Sequence, residues 1–165
     1  MIITGSSIPF EGRSIHVALM VWDRVGRGAT ARSFKKNGAQ MEDARPFLQE
    51  KCKVMWKGIN VQAVHAGLKV DPLEMNDMYT LIHDHDVVLQ NRYAGPLTVV
   101  GHIAIEFPTW FKGDGEITVL LPPGEWLPLP ARGIICIDTG CGKGGRLTAM
   151  IIEGGRYRLE SVNER

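Results

Sequence analysis

The sequence is poor in cysteine and in long apolar runs, and its charges nearly balance. Its three cysteines, Cys52, Cys136 and Cys141, are odd in number and widely spaced. That fits a reducing cytoplasm better than a disulfide framework, and offers no C-x-x-C pair for a structural zinc. Apolar stretches such as Ile15 to Trp22 fall far short of a bilayer span, and Met1 to Gly12 has no cationic-then-apolar pattern of a secretory signal. A net charge of +1 gives no reason to expect nucleic acid or a membrane surface as partner. There is no G-x-S-x-G elbow and no Ser/His/Asp constellation. What remains is a cytoplasmic α/β chain of 165 residues, long enough to bury one core.

The expected organisation is one domain over 1–165. It has a loose terminus over 1–13, a helical segment over 14–58 and a mixed, mainly stranded part over 59–165. Ser14 caps a predicted helix from Ile15 to Val25 that is apolar nearly all round, ended by Gly26 and Gly28. Arg32, Lys35 and Lys36 lie in a polar stretch over 29–38, read as solvated surface. Met41, Ala44, Phe47, Leu48, Cys52 and Met55 keep helical spacing, which predicts an amphipathic helix packed on a sheet, with Trp56-Lys57-Gly58 as a short connection. Residues 73–82 are expected to be partly helical. Arg146 to Glu153 and Arg156 to Val162 alternate as a closing antiparallel pair turned at Gly154-Gly155.

Two segments carry the chemistry. Ile59-Asn60-Val61-Gln62-Ala63-Val64 is an apolar run that ends at His65, followed by the small Ala66 and Gly67. Leu97-Thr98-Val99-Val100-Gly101 ends the same way at His102, 37 positions later (102 minus 65). A histidine at the end of a buried strand is held by the sheet while the loop opens to solvent, a setting that suits a metal ligand. A third strand, Gly133 to Asp138, runs into Thr139-Gly140-Cys141-Gly142-Lys143-Gly144-Gly145. That segment satisfies G-x-G-x-x-G, but a strand-like Arg146 to Ile152 follows where a dinucleotide site needs a helix. It fails as a phosphate loop too, because Gly144 follows Lys143 where Ser or Thr belongs. His83-Asp84-His85-Asp86 reads as a polar loop that caps a following helix over 87–92 through Asp84 or Asp86, since alternate positions on a helix diverge.

In order and spacing, Val64-His65-Ala66-Gly67-Leu68, Val99-Val100-Gly101-His102-Ile103 and Ile137-Asp138-Thr139-Gly140-Cys141 with Gly144-Gly145-Arg146-Leu147-Thr148-Ala149 resemble the calcineurin-like metallophosphoesterases. The likeness is to the C-terminal half of the bacterial serine/threonine protein phosphatase and diadenosine tetraphosphatase branch, over roughly Phe47 to Val162. The resemblance implies an α/β fold, a β-sandwich flanked by helices, corresponding to half of a metallophosphoesterase sandwich. It implies that His65 and His102 ligate a divalent metal ion (manganese first, iron or zinc as alternatives), and that Asp138 and Thr139 support the fold around it. It implies hydrolysis of phosphoric esters, with a phosphorylated substrate. Ile103 stands where the family commonly has threonine, and Leu81-Ile82-His83-Asp84-His85 stands where many members carry a phosphate-binding arginine, so His85 is the candidate substrate-binding residue in its place.

The family's N-terminal metal motifs are missing: no Asp-x-His and no Asn-His occurs, and Trp22-Asp23-Arg24 follows Leu19 and Met20 where Gly-Asp should stand. No catalytic residue is therefore assigned. The expectation is a hydrolase made complete by a complementary N-terminal phosphatase chain, or a chain that associates with itself. The alternative is a non-catalytic interaction module on the same scaffold.

Overall fold

The computed structural model describes residues 27–120 and 124–163. The helix expected over 15–25 and the Asp23-Arg24 segment lie outside the described residues. The chain divides into two compact units, Met1–Cys52 and Lys53–Arg165.

In the first unit, α1 (Arg27–Lys36) is a helix none of whose residues is buried. The polar stretch is thus solvated as expected, but helical, since nothing in Ala29 to Lys36 breaks a helix. The long helix expected over 41–55 is corrected. A 3-10 turn (Met41–Ala44) leads into α2 (Arg45–Lys51), and Cys52 is already extended at φ −87, ψ 129. Pro46 is the physical reason at the start, because it has no amide to return to the preceding turn. Phe47, expected on the packed face, is 62% exposed.

The second unit is a mixed α/β fold: a six-stranded mixed sheet, a three-stranded antiparallel sheet and a few short helices. The large sheet holds β1 (Met55–Lys57), β2 (Gln62–Val64), β3 (Thr98–Val100), β4 (Thr109–Phe111), β5 (Ile117–Val119) and β7 (Ile134–Cys136), in the order β1-β2-β3-β7-β4-β5. The small sheet is β6 (Leu127–Pro128), β9 (Arg156–Asn163) and β8 (Arg146–Glu153), in that order. Between β2 and β3 lie a 3-10 turn (Leu73–Met75), α3 (Met78–His83) and α4 (Asp86–Gln90).

Three expectations shift. The strand ending at His65 starts at Gln62: Gly58 donates to the Val61 carbonyl at 2.8 Å across a turn, leaving Ile59 99% exposed. Trp56 and Lys57, expected as a connection, form β1 and pair with Ala63 and Gln62. Thr109 to Phe111, expected within an aromatic loop, is a strand because it finds β7 on one side and β5 on the other. The β8–β9 hairpin pairs from Arg146↔Asn163 to Glu153↔Arg156, as its alternation predicts.

The core is built on strand alternation. Ile134 and Cys136 face one side of the large sheet and pack with Val64, Val100 and the helical Leu81, Ile82, Val87 and Val88. Ile135 faces the other, packing with Leu97 and, from the small sheet, Tyr157 and Leu159. The unit is therefore layered as helices, large sheet, small sheet. Each fully buried aliphatic side chain contributes about 1.5–3 kcal/mol.

Burial pushes the Cys136 thiol up to about 11, while Cys52 and Cys141 are exposed. With excess thiol reagent near neutral pH, the folded protein should release two equivalents and the third only on unfolding. Three equivalents from the folded state would contradict this packing.

Candidate metal centre

β2, β3 and β7 run parallel and side by side, with Gln62↔Thr98↔Ile134 and Ala63↔Val99↔Ile135 in register. Their carboxyl ends therefore finish at one level, which is where parallel sheets present functional groups. His65 follows β2 directly, His102 follows β3 after Gly101, and Asp138 follows β7 after Ile137. The ladder continues past the strands: Gly101 donates to the His65 carbonyl at 2.9 Å and Ile137 to that of Val100 at 3.0 Å.

This pairing brings His102 Nδ1 to 3.2 Å from His65 Nε2, with the two rings edge to face at 5.1 Å. Two nitrogens on one tetrahedral ion at 2.0–2.1 Å each stand about 3.3 Å apart. The pair thus fits two positions of one coordination sphere. His102 is held there in the left-handed region, φ 71, at the centre of a tight turn closed by Ile103 donating to the Gly101 carbonyl at 2.9 Å. A left-handed non-glycine of this kind costs about 1–3 kcal/mol and is found most often at functional sites.

The sequence placed His85 at the substrate and did not bring His83 or His85 to the metal pair. The ring of His83 lies 6.1 Å from that of His102, and the ring of His85 lies 5.9 Å from it. Alternate residues diverge on a helix, but α3 stops at His83 and Asp84 is extended at φ −75, ψ 129. Extended backbone returns side chains two apart to one side. The available signal was Asp77, which caps α3 by accepting the Thr80 amide at 2.7 Å and so sets a short helix ending at His83. The expected cap through Asp84 or Asp86 is corrected: His85 stands at the N-cap of α4 with no side-chain cap bond, and Asp84 Oδ1 instead closes a turn by accepting the Asp86 amide at 2.9 Å. Its other oxygen pairs with Lys69 at 3.0 Å. Burial would raise the Asp84 pKa, but the Asp86 amide and Lys69 outweigh it and hold the carboxylate below its usual range.

His85 Nδ1 lies 3.1 Å from the His83 carbonyl, which can only accept. The proton therefore sits on Nδ1 and leaves Nε2 unengaged. Asp138 turns inward on its own loop, with Oδ1 accepting the Gly140 amide at 3.0 Å and its carbonyl accepting that of Ile105 at 2.9 Å. Thr139 is buried. Its hydroxyl donates to the Arg146 carbonyl at 2.7 Å and meets Thr148 Oγ1 at 2.7 Å, which in turn meets Ser161 Oγ at 2.6 Å. That chain ties the Asp138 loop to the β8–β9 hairpin.

The donor set is thus two imidazoles in ligand geometry, two more imidazoles nearby and one adjacent carboxylate. Among the described residues, no group of three or more His, Cys, Asp or Glu is arranged to hold an ion. Partial burial, reinforced by the neighbouring imidazoles, holds both His65 and His102 below the ordinary 6.5, although solvent reaches His65. Neutral imidazole is the form that binds metal. A cleft of about 650 Å³ lined by Lys57, Asp71, Pro96 and Arg132 opens at the other, amino-terminal end of the parallel strands and shares none of these groups.

No family model, curated protein or solved structure matches the chain.

Two outcomes test this geometry. A β-carbon on Gly67 would collide with the Asp84 carbonyl and reach 2.9 Å from Val87 Cγ1. Gly67→Ala should therefore displace the His83–His85 segment and destabilise the protein by about 1–3 kcal/mol, read by denaturant midpoint and by histidine NMR shifts. Unmoved His83 and His85 signals would contradict it. In metal-free protein the unfolded chain takes up more protons than the folded one, because the folded imidazole pKa values are depressed. Stability should be full above the ordinary 6.5 and fall as pH drops through the folded values. The double variant His65→Gln, His102→Gln should flatten that slope, and an unchanged slope would place the acid sensitivity elsewhere.

Proposed function

We propose that the chain is part of a metal-dependent phosphoric-ester hydrolase, with the β-sandwich architecture of the C-terminal half of the calcineurin-like metallophosphoesterases. The observation that carries the reading is the meeting of His65 and His102, from 37 positions apart (102 minus 65), at a ligand-to-ligand spacing of 3.2 Å. Their place at the ends of adjacent parallel strands, with Asp138 at the end of a third, supports it further.

His65 and His102 would hold one divalent ion, and imidazole donors suit manganese, iron or zinc. Such an ion, when bound, polarises a phosphoryl oxygen and acidifies a bound water. The chain's own residues supply the rest. Asp138 and Thr139 hold the loop that borders the pair, and His85 is the candidate substrate-binding residue. Two imidazoles do not complete a two-metal centre, so carboxylate ligands must come from a complementary N-terminal phosphatase segment. A surface for association exists on the outer face of the β8–β9 hairpin, where Leu147, Ile151 and Val162 are exposed.

One observation favours the second reading, an interaction module on a phosphatase-derived scaffold: the lack of a three-donor group among the described residues.

The deciding experiment loads the purified chain with manganese, removes excess ion, and measures retained metal and aryl phosphate hydrolysis with and without an added N-terminal phosphatase half. Retained manganese should fall more than about tenfold in His65→Ala and in His102→Ala, each of which removes a direct ligand. His85→Ala should keep the metal and raise KM. Equal manganese in wild type and both ligand variants, with no hydrolysis on complementation, would leave the interaction module.

A further inference from the structure

The glycine-rich segment that no nucleotide motif explains folds into a closed turn beside the histidines. Arg146 donates its amide to the Thr139 carbonyl at 2.9 Å, closing the base. Within that frame the amides of Lys143 and Gly145 both donate to the Gly140 carbonyl, at 2.9 and 3.1 Å. Gly140, Gly142 and Gly144 take φ values of 77, 88 and 84, alternating left-handed positions that a side chain would resist. At Gly145 a β-carbon would collide with the Thr139 carbonyl, so closure itself requires glycine there. The turn is pinned at its base and presents an exposed Lys143 near its tip.

The turn is also fixed to the loop that carries His102. It begins at Asp138, whose carbonyl accepts the Ile105 amide at 2.9 Å, and a β-carbon on Gly140 would stand 3.6 Å from that of Ala104. The neighbouring cations are already engaged. Lys69 pairs with Asp84 at 3.0 Å, and Arg146 donates to the Glu106 carbonyl at 2.6 Å while lying 4.8 Å above the Phe107 ring. Lys143 makes no ion pair among the described residues.

We infer that Lys143 is a substrate-binding residue, whose ammonium, carried on the pinned glycine turn, holds the phosphoryl oxygens of a phosphate monoester dianion against the His65–His102 pair. The inference rests on the hydrolase reading above and names the cation that reading needs. A dianion brought beside imidazoles and the Asp138 carboxylate requires a compensating positive charge. A lysine serves phosphate as a point charge with three donors, and flanking glycines let the ligand approach the backbone.

The test titrates inorganic phosphate calorimetrically into the full chain, metal-free and manganese-loaded, for wild type, Lys143→Ala, Lys143→Arg and Lys143→Glu. Loss of one charge-assisted contact should weaken phosphate about tenfold in Lys143→Ala. Lys143→Glu should abolish binding, and Lys143→Arg should stay within about threefold of wild type, because the charge is kept. Retained manganese and the circular dichroism spectrum should be the same in all four proteins. Wild-type phosphate affinity in Lys143→Ala, or no phosphate binding by wild type in either state, overturns the inference. If wild type retains no manganese but phosphate binding still depends on Lys143, the metal reading fails and the anion site stands. If manganese is retained and phosphate ignores Lys143, the reverse holds.

Discussion

The in-register parallel pairing of β2, β3 and β7 is the constraint on which the site depends, because it makes three separate turns of chain leave the sheet at one level. Each strand is only three residues long, so the ladder bonds, at about 0.5–1.5 kcal/mol net apiece, do not hold the arrangement by themselves. Burial does. Ile134, Ile135 and Cys136 are at most 1% exposed, and they alternate between the helical layer and the small sheet. A one-residue slip of β7 would swap those faces and carry Asp138 away from its neighbours. The same burial offsets the strain stored at His102, whose left-handed backbone is clamped between the Gly101–His65 ladder bond and the following tight turn.

The electrostatics of the cluster follow from this crowding. Burial and the neighbouring rings depress the His65 and His102 pKa values, and the local carboxylates are already hydrogen-bonded. Asp84 is bound by an amide and Lys69, and Asp138 accepts the Gly140 amide. Neutral rings are therefore favoured at His65 and His102, whose facing nitrogens share one hydrogen bond. The glycine turn over 139–146 closes beside the His102 loop, joined to it where Ile105 donates to the Asp138 carbonyl at 2.9 Å.

The strand-end histidines and the β8–β9 hairpin were legible from the sequence. Buried strands are apolar runs, and a run that stops at a histidine marks the ring's place at the sheet end. The hairpin showed its period of two and its Gly154-Gly155 turn. Less visible was anything that depends on a partner strand. Thr109 to Phe111 is a strand because β7 and β5 flank it, while its own residues, Phe107-Pro108-Thr109-Trp110-Phe111, look like a loop. The expected helix over 41–55 kept its apolar spacing on paper but is divided by Pro46 and stops at Cys52, and Met55 belongs to β1.

By itself, then, the sequence determined which residues end the buried strands, which segment must turn on glycine, and which motifs are absent, since each follows from local composition and spacing. Tertiary structure alone decided that His65 and His102 stand 3.2 Å apart, that His83 and His85 join them, and that Asp138 and the Lys143 turn border the group. The physical reason is that strand register and the end of α3 are set by contacts between residues far apart in the chain. Those contacts bring four separated histidines into one neighbourhood.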